Sequence, residues 1–156
     1  MTDFSWLFAY QLGFNEDISN WDTSNAVTMA SMFRHAQSFN QNVGKWNTAK
    51  VTNMSSMFEG ARSFDQSISR FDTSQVRDMS SMFDGAYSFN QDISGWTVNR
   101  VTDMNSMFQR SRSFDRNLCS WKSKVSGQTN VEGMFFGTSC PVQSDPNQSR
   151  WCQACS

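Results

Sequence analysis

Charge is scarce in this chain of 156 residues. Asp, Glu, Lys and Arg make up 17% of it, with 13 cations against 14 anions and a net charge of −1. A globular protein commonly carries about a quarter. A nucleic-acid binder concentrates positive charge to meet phosphates, so this balance argues against one. Proline occurs only twice, and His35 is the only histidine. No apolar run approaches the ~18–20 residues that a membrane helix needs. The longest early apolar stretch, Trp6-Leu7-Phe8-Ala9-Tyr10, is too short for a secretory leader. A Gly-rich phosphate loop, an HExxH pair and a GxSxG elbow are all missing. One histidine without a nucleophile at motif spacing specifies no triad. Catalysis, as by a hydrolase, is therefore the least supported class, and no cofactor is implied.

What the chain has is aromatic and thioether mass, with 14 Phe, 10 Met and 6 Trp, set among Asn, Gln, Ser and Thr. These residues recur. Phe14, Phe39, Phe64, Phe89 and Phe114 are spaced by 25, as are Ile18, Val43, Ile68, Ile93 and Leu118. Trp21, Trp46, Phe71, Trp96 and Trp121 keep the same spacing. So do Met29, Met54, Met79 and Met104, and the pairs Met32-Phe33, Met57-Phe58, Met82-Phe83 and Met107-Phe108. Phe4, Leu7 and Phe8 fall in register with Met29, Met32 and Phe33. Met134-Phe135 follows Met107-Phe108 by 27, which marks a two-residue insertion.

Each unit divides in two. Met54, Met57 and Phe58 stand at i, i+3 and i+4, the spacing of one helical face. Asn53, Asp78 and Asp103 precede that segment as candidate N-caps, and Gly60 and Gly85 follow as candidate terminators. The other half, such as Phe89 to Trp96, has a β-branched centre and an aromatic end and reads as a short strand. One unit cannot enclose a core, whereas stacked units turn each apolar position into a column. The expected fold class is an α/β repeat: a right-handed solenoid of about five 25-residue strand-turn-helix coils. It is expected to span residues 1–136, with 1–13 a partial first repeat and 137–156 a cap stapled by disulfides.

The segment Phe89-Asn-Gln-Asp-Ile-Ser-Gly-Trp96, followed by Val101-Thr-Asp-Met-Asn-Ser-Met-Phe108, resembles the BspA-like leucine-rich-repeat surface proteins, also known as the mycoplasma lipoprotein repeat family. The resemblance recurs in every unit over residues 1–136, and the tail from Thr138 to Cys155 is similar to the ends of such proteins from microalgae. It implies a leucine-rich-repeat-like fold, an extracellular or cell-surface setting, and a role in adhesion or protein binding. Ala26 for the repeat valine, Phe71 for Trp, and Thr97-Val98 for Asp-Thr depart from the pattern and bear on local packing.

Several side chains invite a site. The methionines are soft copper ligands by chemistry, but all ten fall at repeat positions, and core packing is the plainer reading. Asp17, Asp92, Asp22 and Asp72 suggest calcium, yet Asn42, Ser67 and Asn117 break one row and Thr97 and Lys122 the other; turn capping is the plainer role. Cys119, Cys140, Cys152 and Cys155 are disulfide candidates, and four cysteines allow three connectivities. Cys119–Cys140 with Cys152–Cys155 is favoured over the other pairings, and zinc is the runner-up. Disulfides place the chain in an oxidising compartment. Asn147 and Asn53 begin glycosylation sequons; Asn147 is the better candidate, because Asn53 reads as an N-cap.

The row Asp17, Asn42, Ser67, Asp92 and Asn117 is expected to face outward as a binding face, and Phe4, Leu7 and Phe8 to form an end-contact. The resulting expectation is a non-catalytic module for a protein partner or a larger assembly, a second copy included. A glycan is the alternative partner. An ice or mineral surface is another, suggested by the partial ladder Thr23, Thr48 and Thr73.

Overall fold

The computed structural model describes residues 1–155. The repeat stacks in register. Asp3, Thr28, Asn53, Asp78, Asp103 and Asn130 pair in sequence as single-residue parallel bridges, so each coil lies directly on the next. The strand and helix halves, however, do not form. Among the described residues the regular elements are a 3-10 turn at Cys119–Trp121 and a hairpin of two-residue strands, β1 (Arg150–Trp151) and β2 (Gln153–Ala154). The α/β repeat solenoid expected from the sequence is thus corrected: the coils are built almost wholly of turns.

The hydrogen bonds explain why. In an α-helix every amide turns back to the carbonyl four residues earlier. Here the amides of Met54, Ser56, Phe58 and Gly60 leave the coil and donate to Asp78, Ser80, Met82 and Asp84, at 2.7–3.0 Å. Only the intervening amides turn back, Met57 to Met54, Glu59 to Ser56 and Ala61 to Phe58. This alternation requires left-handed backbone at every fourth residue, φ +53° at Ser56 and +67° at Gly60. A non-glycine residue there costs roughly 1–2 kcal/mol, and the cross-coil bonds offset it. Gly60 and Gly85 do adopt the conformation expected of terminators, but as members of this row. Asn53 and Asp78 likewise keep the capping chemistry without a helix, each accepting the amide and hydroxyl of the serine two residues on.

The segment read as a strand is joined to its neighbours by side chains. Asn40 donates its amide to the Asn15 Oδ1, Asp65 to Asn40, Asn90 to Asp65 and Asp115 to Asn90. The Thr23, Thr48 and Thr73 hydroxyls donate to the carbonyls of Asn47, Asp72 and Thr97 in the following coil. The indoles of Trp46 and Trp96 donate to Ile18 and Ile68.

Between the two halves lies the core. Phe33, Phe58, Phe83, Phe108 and Phe135 stack 5.5–5.8 Å apart, each beside the Phe39, Phe64, Phe89 or Phe114 row where that row continues. Nine of the ten methionines fit the core assignment: Met29 through Met134 are buried, but Met1 is exposed. The Trp row is core from Trp46 to Trp121, while Trp21 is exposed.

Candidate interaction surfaces

Three surfaces carry the residues singled out in the sequence. The row Asp17, Asn42, Ser67, Asp92 and Asn117 is exposed throughout. Its oxygens are already engaged: Asp17 accepts the Ser19 amide at 2.9 Å, Asn42 that of Gly44 at 3.0 Å, Asp92 that of Ser94 at 2.9 Å and Asn117 that of Cys119 at 2.8 Å. Ser67 faces the Ser69 hydroxyl at 3.3 Å. The Ser19 amide, and then its hydroxyl, hold the Asp17 carboxyl below the ordinary carboxylate value; Ser94 does the same for Asp92. The row therefore caps its own turns first. A shallow depression beside it is lined by Asn42, Gly44, Lys45, Ser67, Ser69 and Arg70. The Thr23, Thr48 and Thr73 ladder is buried and offers no hydroxyls to an ice or mineral surface.

The end-contact residues separate. Phe4 is only 3% exposed, packed against the Trp21 ring at 6.4 Å, so it is core. Leu7 and Phe8 are half-buried, with Phe8 stacked on Phe14 at 3.8 Å. The exposed apolar groups of this coil are others: Trp6, Tyr10, Leu12 and Trp21, at 39–56% exposure, together with Met1. Sequence reading missed Trp6 and Tyr10 because register with Met29 and Phe33 identifies inward positions. Trp6 and Tyr10, two residues after the inward Phe4 and Phe8, sit at left-handed φ of 63° and point elsewhere. The Arg34 guanidinium lies over both rings, 5.5 Å from Trp6 and 5.9 Å from Tyr10.

The tail closes the last coil. Its disulfides are Cys119–Cys155 and Cys140–Cys152, with Cα separations of 5.5 and 4.9 Å. The favoured pairing, Cys119–Cys140 with Cys152–Cys155, is corrected. Cys140 continues the coil beyond Phe114, whereas the hairpin returns Cys152 and Cys155 over the stack end, so each coil cysteine meets a hairpin cysteine. Trp151 meets Trp121 edge-on at 6.3 Å, and Gln153 donates to Asp115 at 2.6 Å, ending the Asn/Asp ladder. That ladder was also missed, although an Asn or Asp after each repeat phenylalanine is its signal in the sequence. Asp145 accepts the Gly133 amide at 2.8 Å, and Gln143 that of Gly137 at 3.1 Å. These are the amides that would cross to a further coil.

Of the sequons, Asn147 is exposed just ahead of the hairpin, bridged to Arg150, and Asn53 is half-buried in the bridge row. Each accepts the amide and hydroxyl of its sequon serine. His35 stacks on Tyr10 at 5.2 Å and lies 3.7 Å from the Glu59 carboxylate, which Arg34 also holds at 2.9 Å. Among the described residues, no group of three or more His, Cys, Asp and Glu side chains is arranged to hold a metal ion, and no helix is long and apolar enough to cross a membrane.

The family model described as Mycoplasma protein of unknown function, DUF285, matches residues 1–68 and again 42–149. The chain belongs to this family. Two overlapping matches are what a DUF285 chain of recurring coils produces, since the same pattern aligns in more than one register. No curated protein and no solved structure matches it. The disulfides of this DUF285 chain are compatible with an oxidising environment.

Proposed function

We propose that this protein is a non-catalytic interaction module that contacts another protein through the outer face of its first coil. The observation that carries this reading is the exposure of Trp6, Tyr10, Leu12 and Trp21 within one coil. Single exposed apolar residues are ordinary, whereas several together mark contact surfaces. Trp and Tyr are also the residues that dominate binding energy when an interface covers them. The partner is another protein or a second copy of this chain. The BspA-like resemblance and the two disulfides support an extracellular or cell-surface setting and a part in adhesion or assembly.

The test is sedimentation over a wide concentration range, beside photo-crosslinking from position 12 in extract of the source cells. Self-association or a crosslinked protein is expected, and Trp6→Asp/Tyr10→Asp is expected to abolish it while leaving the melting temperature nearly unchanged. A strictly monomeric chain that yields no crosslinked product, or a product indifferent to that pair of substitutions, overturns the reading.

A further inference from the structure

On the side of the stack that carries His35, most charges are answered. Arg34 donates to Glu59 at 2.9 Å, and Arg110 donates to both oxygens of Asp84 at 2.9 and 2.6 Å. Arg62 and Arg112 are not. Both are exposed, and neither guanidinium has a hydrogen-bonded or ion-paired acceptor among the described residues. Each instead lies over the ring of Tyr87, at 5.3 and 4.6 Å from its centroid. Tyr87 belongs to the coil between theirs, so two coil spacings set the arginines roughly 10 Å apart. Stacking fixes the plane of a guanidinium and leaves its N–H edge free for a bidentate oxyanion. Two like charges sharing one ring repel, and an anion spanning both relieves that repulsion.

The neighbouring row supplies further donors. Ser63, Ser88 and Ser113 are exposed, each directly after Arg62, Tyr87 or Arg112. Their amides cross to Gln37, Arg62 and Tyr87 at 3.1 Å, which fixes their places, and their hydroxyls have no partner among the described residues. Alongside lies a depression lined by Glu59, Gly60, Asp84 and Gly85, where a side chain on Gly85 would meet nothing closer than 3.8 Å.

We propose that the row Arg62, Tyr87 and Arg112, with its three serines, binds an acidic polysaccharide, the arginines taking carboxylates carried on alternate sugar rings and the serines the ring hydroxyls. An extended peptide sets same-face acids about 7 Å apart, short of this span. A nucleic acid is gathered by broad positive potential, which a chain of net charge −1 does not provide. A linear polyuronate carries an acid on the same side at every second ring, a repeat close to the arginine spacing, and is rich in hydroxyls. The site is separate from the first-coil face and stands or falls independently of it.

Binding of polygalacturonate to the whole chain, measured by calorimetry at low ionic strength, tests this. Its methyl-esterified form serves as the neutral polymer and inorganic polyphosphate as the phosphate polymer. Polygalacturonate is expected to bind, to weaken as salt rises, and to exceed the neutral polymer by at least about tenfold, the scale of one or more charge-assisted contacts. Arg62→Gln/Arg112→Gln is expected to abolish binding. Arg62→Lys/Arg112→Lys, which keeps charge without the planar fork, should retain part of it. Arg77→Gln, an exposed arginine on another row, is expected to leave it unchanged, with thermal melts confirming that every variant folds. Absent binding, an equal loss in Arg77→Gln, or tighter Arg62-dependent binding of polyphosphate would each overturn the proposal.

Discussion

Phe8 and Phe135 hold the same position at opposite ends of the stack. Phe8 is half-buried, while Phe135 is fully covered. Beyond Phe8 the first coil presents Trp6, Tyr10, Leu12 and Trp21. Beyond Phe135 the tail doubles back, lays Trp151 on Trp121, and supplies Asp145 and Gln143 to the amides of Gly133 and Gly137. The chemistry of the ends also differs. Along the turn segment each coil donates amides to its successor, while amides such as those of Val27, Ser38 and Asn40 donate the other way. Within that segment the last coil has surplus donors and the first has surplus acceptors, the carbonyls of Asp3, Ser5 and Ala9. A buried orphan N–H is costly and rare, whereas an exposed carbonyl is readily satisfied by water. The difference teaches that the turn segment of such a stack is closed by acceptors, here Asp145 and Gln143, where its successor-directed amides run out.

The sharpest probe of that contrast is one substitution made at both levels. Phe83→Ala, in the enclosed middle, should cost about 3–5 kcal/mol in chemical denaturation, the range for removing a buried phenylalanine. Phe8→Ala should cost clearly less, because its position is only half enclosed. Equal costs would mean that the first coil is covered in solution.

Opening the cap comes next. Cys140→Ser/Cys152→Ser, or reduction, should cost about 2–5 kcal/mol and lower the melting temperature. Exchange of backbone amides should then rise first at the last coil, leaving the first coil unaffected. A uniform rise would show that cap and stack melt as one unit.

A smaller effect isolates the donor argument. Asp145→Ala removes the acceptor from the Gly133 amide and should cost about 1 kcal/mol, within the usual range for lost caps and hydrogen bonds. Asp145→Asn, which keeps an oxygen, should recover most of it.

Acid is expected to act least. Asp3, Asp17, Asp22, Asp72 and Asp92 are held below the ordinary carboxylate value by the serine amides and hydroxyls of their own turns. A lowered folded value means that the stabilisation is complete above the unfolded value near ~4 and is lost as pH falls through the folded one. Melting temperature should stay level from neutral pH to about pH 4 and decline below it. A decline beginning well above pH 4 would contradict this account.

The sequence by itself determined the 25-residue period and the inward columns, because burial follows periodicity whatever the backbone between does. Met54, Met57 and Phe58 are core, as their spacing predicts. The tertiary structure alone decided the backbone. The i, i+3, i+4 spacing suits a helix and a run of stacked turns equally, and the choice fell to amides such as Ser56, which gain a carbonyl in the next coil. It also decided which cysteines meet, since four allow three pairings and only the path of the hairpin over the last coil selects one. The cluster of Arg62, Tyr87 and Arg112 has the same origin: residues 25 and 50 apart in the chain become neighbours only when coils stack.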